Sequence, residues 1–422
     1  MKTAVKKCRL ADIASFTNGG SWNQTEYSPT GVPVVRVSDV HGGTIDLSSC
    51  KYLTEEGAKK YSKNRLEIGD LIICTVGSHP TQLGSVVGRA GVVPSTASGA
   101  LLNQNAVCIR PSDKSVDKCW LSYLGKSKEF HDYIKAHARG SASQVRMAIG
   151  LLKEMPIELP SLPTQRRIAG ILSAYDDLIE NNLRRIRILE EMAQSLYREW
   201  FVHFRIPPEV LTQAGLPPKL TLTNSPLGPI PEGWELMKLN ELGTIGRGRS
   251  RHRPRNFTSL YGGPYPFFQT GDVKAAHNFL WDFTQTYSEM GLAQSKMWEE
   301  GTLCITIAAN IAETAILSRR ACFPDSIVGF VPDSNLTNVY FVMMSLKRIK
   351  EQMQNVSRGT TQDNLSMEKL LGFNIVLPKR CIDLKFEALI TPFFEEQLSL
   401  LKRNQTLRQT RDLLLPKLLS PS

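Results

Sequence analysis

The sequence has no apolar run approaching the roughly 20 residues that cross a bilayer. Nothing behind the basic residues of its opening, MKTAVKKCRLADIASF, is apolar for long enough to act as a signal peptide. No membrane association is expected, and the chain is expected in the cytoplasm. The eight cysteines (Cys8, Cys50, Cys74, Cys108, Cys119, Cys304, Cys322, Cys381) include no CxxC pair, the closest being Cys108 and Cys119, which argues against metal ribbons and dithiol redox sites. They read as reduced, mostly buried small hydrophobes. The seven histidines form no HExxH or comparable ligand spacing, so no metal is expected.

Catalytic signatures are equally scarce. Gly125-Lys126-Ser127 has the ending of a phosphate-binding loop, but Trp120 stands where the first glycine belongs. Pro207-Pro208 and Pro217-Pro218 lack the neighbours of an amino-methyltransferase motif, and the acidic-x-Lys after Pro332-Asp333 comes only at Asp383-Leu384-Lys385. Asp176 and Asp177 are neighbours on a predicted helix, point about 100° apart and read as a solvated face. Ser78-His79 has no evident third partner for nucleophilic catalysis. No catalytic residue is expected.

What is present is size, positive charge and repetition. At 422 residues, 41% hydrophobic and 22% charged, the chain should hold two or three soluble domains. Lys and Arg number 51 against 40 Asp and Glu, a net charge of +11, which favours a polyanionic partner. Pro33-Val-Val-Arg-Val-Ser-Asp39-Val40 matches Pro266-Phe-Phe-Gln-Thr-Gly-Asp272-Val273. LEIGDLIICTVG (Leu66 to Gly77) matches WEEGTLCITIAA (Trp298 to Ala309), each a glycine turn feeding a buried strand. GSASQVRMAIGLLKEMPIELP (Gly140 to Pro160) matches GTTQDNLSMEKLLGFNIVLP (Gly359 to Pro378). Three matches in one order imply a duplicated domain.

After each IxLP-type segment the pattern turns helical. Ile168, Leu172, Tyr175, Ile179, Asn182, Ile186, Leu189, Ala193, Leu196 and Trp200 step alternately by four and three, a heptad seam on a helix roughly 50 Å long. Sliding the seam along the chain until Ile168 falls on Phe386 gives Phe386, Ile390, Phe393, Gln397, Leu400, Asn404, Leu407, Arg411 and Leu414, a weaker seam in the same register. Pro392 predicts that this second helix begins or kinks there. Two such helices pair most simply antiparallel, with a pseudo-twofold axis and Asn182 as a register-fixing polar residue. Arg205 to Trp234, rich in Pro and Gly and without periodicity, reads as a linker. The fold class expected is α+β: two homologous globular domains, residues 1–160 and 232–378, each followed by a long helix, residues 161–205 and 379–422, with the linker at residues 206–231.

The best binding signal is GRGRSRHRPRN (Gly246 to Asn256), where Arg247, Arg249, Arg251, Arg253 and Arg255 alternate with short or polar residues and His252. Guanidinium groups suit bidentate contacts with phosphate or the guanine edge. The corresponding first-domain loop, TNGGSWNQ, is neutral but offers Trp22 and Asn23. Two further loop pairs recur at matching places: VGSHPTQ (Ser78, His79, Gln82) with AANIAE (Asn310), and RGSASQVR (Ser143, Gln144, Arg146) with SRGTTQDN (Arg358, Thr360, Thr361, Gln362, Asn364). Their glycines, hydroxyls, amides and charges are the inventory of DNA contacts.

LPSLPTQRRIAGILSAYDDLIENN (Leu159 to Asn182), LYREWFVHF (Leu196 to Phe204), SPLGPIPEGWE (Ser225 to Glu235) and LRQTRDLLLPKLLS (Leu407 to Ser420) resemble the specificity subunit of type I restriction-modification enzymes, and the likeness covers essentially the whole chain. It implies two target recognition domains, each reading one half of an asymmetric bipartite site on double-stranded DNA. It also implies an antiparallel coiled coil that spaces them and docks two modification (methyltransferase) subunits and up to two restriction subunits. S-adenosylmethionine would belong to the modification subunit, ATP and Mg to the restriction subunit, and no cofactor to this chain. One departure is CIDLKFEAL (Cys381 to Leu389), which lacks the Gln165-Arg-Arg-Ile168 pattern, so helix docking is expected to differ there. A specificity subunit of a methylase-only complex and a non-enzymatic coiled-coil scaffold stay open as alternatives.

Overall fold

The structure, a computed structural model, describes residues 6–78, 85–141, 144–254, 257–357 and 364–420. The chain forms two compact units, residues 1–179 with 406–422, and residues 180–405. Two helices of 40 residues each, α1 (Leu162–Phe201) and α2 (Arg380–Leu419), therefore contribute one stretch apiece to each unit. Among the described residues no helix is long and apolar enough to cross a membrane.

The core sheet of the first unit runs, edge to edge, Ala14–Asn18, Ala106–Pro111, Leu71–Cys74, Ala90–Val92, Thr44–Ile45, Val40–His41. That of the second runs Gly243–Arg247, Ile327–Pro332, Leu303–Thr306, Thr314–Leu317, Phe279–Leu280. The first five strands correspond one for one, down to a parallel fourth pairing in each. A second sheet repeats as well: Val32–Val35 runs parallel to Leu101–Leu102 as Tyr261–Phe267 does to Ala321–Cys322. A two-stranded ribbon closes each unit, Lys6–Arg9 with Pro156–Leu159 and Glu235–Lys238 with Asn374–Leu377.

The sequence matches sit where the backbone demands a particular residue. Asp39 and Asp272 each accept the N–H of the residue capping a short helical turn, Arg36 at 2.8 Å and Gln269 at 2.7 Å, the acceptor half of a capping box. Gly69 and Gly301 hold φ near +79° and +84° in the turn before a fully buried strand, a conformation that favours glycine.

The long helices pair antiparallel within both units. In the first, Arg411 of α2 binds Asp176 of α1, and Leu414, Leu415, Leu418 and Leu419 pack on the core that buries Ile168 and Leu172. In the second, Asn182 donates to Asn404 at 2.8 Å, Arg185 meets Glu396 at 2.6 Å, and Trp200 packs on Phe386 with centroids 5.8 Å apart. All three polar residues of the weaker seam thus have partners: Asn404 has Asn182, Arg411 has Asp176, and Gln397 accepts from Asn278 at 2.9 Å. Of the remaining seam positions Ile179, Ile186 and Leu400 are buried, whereas Tyr175, Leu189, Leu196, Phe393 and Leu407 are half-buried.

Three expectations are corrected. α2 neither begins nor breaks at Pro392; burial of Phe386, Ile390 and Phe394 carries the helix through the one hydrogen bond proline forgoes. Asp177 is exposed as expected, but Asp176 is half-buried and tied down, accepting from Tyr123 Oη at 2.6 Å as well as from Arg411. The Pro- and Gly-rich stretch after α1 is folded, with a helix at Pro208–Gln213, a hairpin of Leu222–Ser225 with Gly228–Pro231, and Leu211 and Ile230 in the core. The cysteines are all free thiols, four of them buried and Cys119 exposed. Burial pushes Cys74 and Cys108 up to about 12, which leaves them unreactive.

Candidate nucleic-acid interface

In the second unit Gly243–Arg247 and Leu303–Thr306 both run antiparallel to the strand between them, Ile327–Pro332. Their C-terminal ends therefore emerge together, beside Ile327. From the first end issues the arginine loop. From the second issues Ala308, which bridges Asn364, while Leu365 N–H donates to Ile307 O at 2.8 Å. One end of one sheet gathers the arginine loop, the segment after Thr306 and the chain at Asn364 and Leu365, which are far apart in sequence.

The arginine loop is anchored by its backbone, leaving side chains outside. Gly248 N–H donates to Ile327 O at 2.9 Å and Arg249 N–H to Phe323 O at 3.0 Å. The approach is so close that a Cβ on Gly248 would lie 2.3 Å from Phe323 O. Gln294 Oε1 accepts from the N–H of Arg251 at 2.5 Å and of His252 at 3.0 Å, and Ser295 Oγ donates to Arg249 O at 2.8 Å. His252 stacks on Phe257 with centroids 5.1 Å apart, and Arg253 Nη1 donates to Ser250 O at 2.7 Å. Arg247, Arg249 and Arg251 are exposed, with no carboxylate among the described residues in ion-pair contact. Three exposed guanidinium groups thus stand on a pinned backbone, groups of the kind that pair with phosphate or base edges. Lys296 joins them, held 3.7 Å over the Trp298 ring.

The first unit repeats the geometry with different chemistry. Ala14–Asn18 and Leu71–Cys74 end together, at Val107 and Ala106 of the shared neighbour strand. Past the first end, Trp22 packs edge-on against Tyr61 at 5.1 Å, so its ring serves as a wall, and Asn23 is exposed at the cap of a short helical turn. Past the second, Val76–Gly77 pairs with Gln144–Arg146, itself hairpinned to Arg139–Ser141. Ser78 thus follows directly from the three-stranded ribbon that carries exposed Arg146, as Asn310 follows two residues after Ala308, which bridges Asn364 in the other unit. Asn310 is half-buried, and its carbonyl accepts from Thr306 Oγ1.

His79, Gln82, Ser143, Arg255, Arg358, Thr360, Thr361 and Gln362 lie outside the described residues, and of Gln144 only the backbone is described. Two contributors escaped the sequence reading. Gln294, which pins the loop, is 43 residues from Arg251, and nothing local marks it. Lys296 could have been found from its spacing to Trp298. Among the described residues no group of His, Cys, Asp and Glu could hold a metal. Ser127 of the decoy loop caps the helix Lys128–His137, accepting from Phe130 N–H at 3.1 Å.

The family model described as type I restriction modification DNA specificity domain matches residues 3–191 and again residues 231–405. The specificity subunit of the type I restriction enzyme MjaIX from Methanocaldococcus jannaschii is 27% identical over 400 residues, 92% of this chain and 88% of that protein. The HindI specificity subunit from Haemophilus influenzae is 25% identical, over 79% of this chain and 83% of that protein. A crystal structure of the S subunit of a type I restriction-modification system from M. genitalium superposes with a TM-score of 0.56 at 16% identity, covering 100% of this chain and 97% of that one. At that identity the superposition speaks for the fold.

Proposed function

The chain belongs to the family of type I restriction-modification DNA specificity domains, and on that premise we propose that it is the subunit through which such a complex reads an asymmetric bipartite DNA site. Each recognition unit reads one half-site with the loops at one end of its core sheet. The observation that carries this is the pairing of one frame with two loop chemistries. Equivalent strand ends present Arg247, Arg249 and Arg251 in one unit and Asn23, Ser78 and Arg146 in the other. Matching frames with unlike edges suit unlike half-sites. Affinity comes from Arg and Lys on phosphate, helped by the net charge of +11. Specificity comes from the few side chains that reach base edges.

The chain contributes no catalytic group. The chemistry is supplied by two modification subunits with S-adenosylmethionine and by up to two restriction subunits with ATP and Mg, all docking on the helix-bearing part of the chain. The test is a genome-wide map of modified adenines in cells expressing the chain with its modification subunit, against cells lacking the chain. Loss of one asymmetric, gapped motif supports the reading, and an unchanged map contradicts it.

A further inference from the structure

The second recognition unit holds a seat for a cation at its reading edge, and the first unit lacks it. Gly246 and Gly329 stand opposite each other on the antiparallel strands Gly243–Arg247 and Ile327–Pro332. With no side chain on either, one face of the core sheet is open there, and the ring of buried Trp298 occupies the gap. A Cβ on Gly329 would lie 2.7 Å from that ring, and one on Gly246 3.3 Å. Phe323 stacks on the ring with centroids 5.2 Å and planes 17° apart. The Lys296 ammonium rests on this assembly, 3.7 Å from the ring centroid and 3.8 Å from where a Cβ on Gly246 would be. Gly246 immediately precedes Arg247, the first exposed arginine of the loop.

The same place in the first unit is built otherwise. The strand pairing that sets Gly246 against Gly329 sets Thr17 against Cys108. The sequence match of Leu66 to Gly77 with Trp298 to Ala309 puts Leu66 in the place of Trp298 and Asn64 in the place of Lys296. Asn64 is buried and donates to Asn18 O at 2.6 Å. Lys296 is exposed, with no carboxylate in ion-pair contact among the described residues. Two glycines, a tryptophan and a lysine thus occur together in one unit and are all absent from the other.

A lysine laid on an aromatic ring is held by cation–π attraction and has given up part of its rotamer freedom before any ligand arrives. Such a cation suits one fixed acceptor better than a run of phosphates, which a free surface lysine can follow. Its two predecessors, Gln294 and Ser295, bond to the backbone of Arg249, Arg251 and His252, so lysine and arginine loop share one support. We propose that Lys296 is a specificity-determining residue of the second unit, donating to the O6 and N7 acceptors of a guanine in the second half-site. This rests on the reading of the chain as a specificity subunit with one unit per half-site.

The test compares the wild-type chain with Lys296→Met, each expressed with the modification subunit. Modified adenines are mapped, and the purified complexes are bound to duplexes that differ at each position of the second half-site. Methionine keeps an unbranched side chain against the Trp298 ring, so the melting temperature should match that of the wild type. One guanine of the second half should become degenerate, with about a tenfold loss of discrimination at that position, while the first half stays strict. Equal weakening on every duplex, with a salt slope smaller by about 1, would overturn the proposal and make Lys296 a phosphate anchor. An unchanged motif, with or without a lower melting temperature, would overturn it too and leave the lysine as a cover for Trp298. A wild-type chain that directs no gapped motif would instead refute the specificity-subunit reading, and the proposal with it.

Discussion

The two recognition units share a backbone and disagree about what to bury in it. At the turn before the central strand, both keep a glycine with positive φ, but the next residue is Asp70 in one and Thr302 in the other. Asp70 is fully buried and held by Arg110 at 2.6 Å and Lys118 at 2.9 Å, whereas Thr302 donates to Glu299 O at 2.8 Å. The start of each long helix differs in the same way. Gln165 accepts from Asp117 N–H at 2.8 Å, while its counterpart Asp383 accepts from Asn338 Nδ2 at 2.9 Å and from Arg380. Positions that set backbone geometry survive duplication, buried polar chemistry is rewritten with a new satisfied partner, and surface loops diverge most.

That contrast can be broken at several depths. The largest effect is expected at Phe386, packed on Phe201 at 4.7 Å and Trp200. Phe386→Ala should cost about 3–5 kcal/mol in denaturant unfolding and Ile168→Ala, its counterpart, less. Next comes Arg110→Met, which strips the main partner from buried Asp70 and should cost about 3 kcal/mol, against about 1 kcal/mol for Thr302→Val. Asn182→Leu removes the amide that meets Asn404 and should cost on the order of 1–3 kcal/mol. Adding Asn404→Leu should restore part of it, because the seam is then apolar on both helices at that level.

The smallest effect is a difference in pH response between two buried carboxylates. Burial pushes Asp383 from its ordinary 3.8 up to about 7, Arg380 offsetting only part of it. Between those values the folded state holds a proton that the unfolded chain has released, so this group's contribution falls as pH rises through that window. Asp70 moves the other way: burial would raise it, but Arg110, the Glu67 N–H and Lys118 together lower it. Its contribution is present above the ordinary carboxylate value and is lost as pH falls through the lowered one. Asp383→Asn should therefore flatten the unfolding profile between about pH 4 and 7 while leaving the acid limb, where Asp70 acts, in place.

The duplicated fold, the antiparallel helices and the Asn182 contact were legible because periodicity and repeated turn residues report local backbone demands. The misplacements come from contacts that a single seam does not encode. Carrying the first seam onto α2 in the register of Ile168 on Phe386 selects Phe393, yet Phe394 is the fully buried one, stacked on Tyr340 at 4.1 Å and meeting Phe279. α2 serves two neighbours, α1 and the recognition fold, so its apolar face is wider than a heptad stripe. Asp176 looked like a solvated acid because its partners, Tyr123 and Arg411, lie 53 and 235 residues away. The arginine loop was conspicuous in sequence, but Gln294, which accepts from two of its backbone N–H groups, was not.

The most direct test of the central claim is a methylation map from cells in which Arg247, Arg249 and Arg251 of the chain are all replaced by alanine. Two independent readers predict that the first half of the gapped motif stays as strict as in wild type, while the second half relaxes or loses occupancy. Equal weakening across both halves, or a motif changed in its first half, would contradict the assignment of one recognition unit to each half-site.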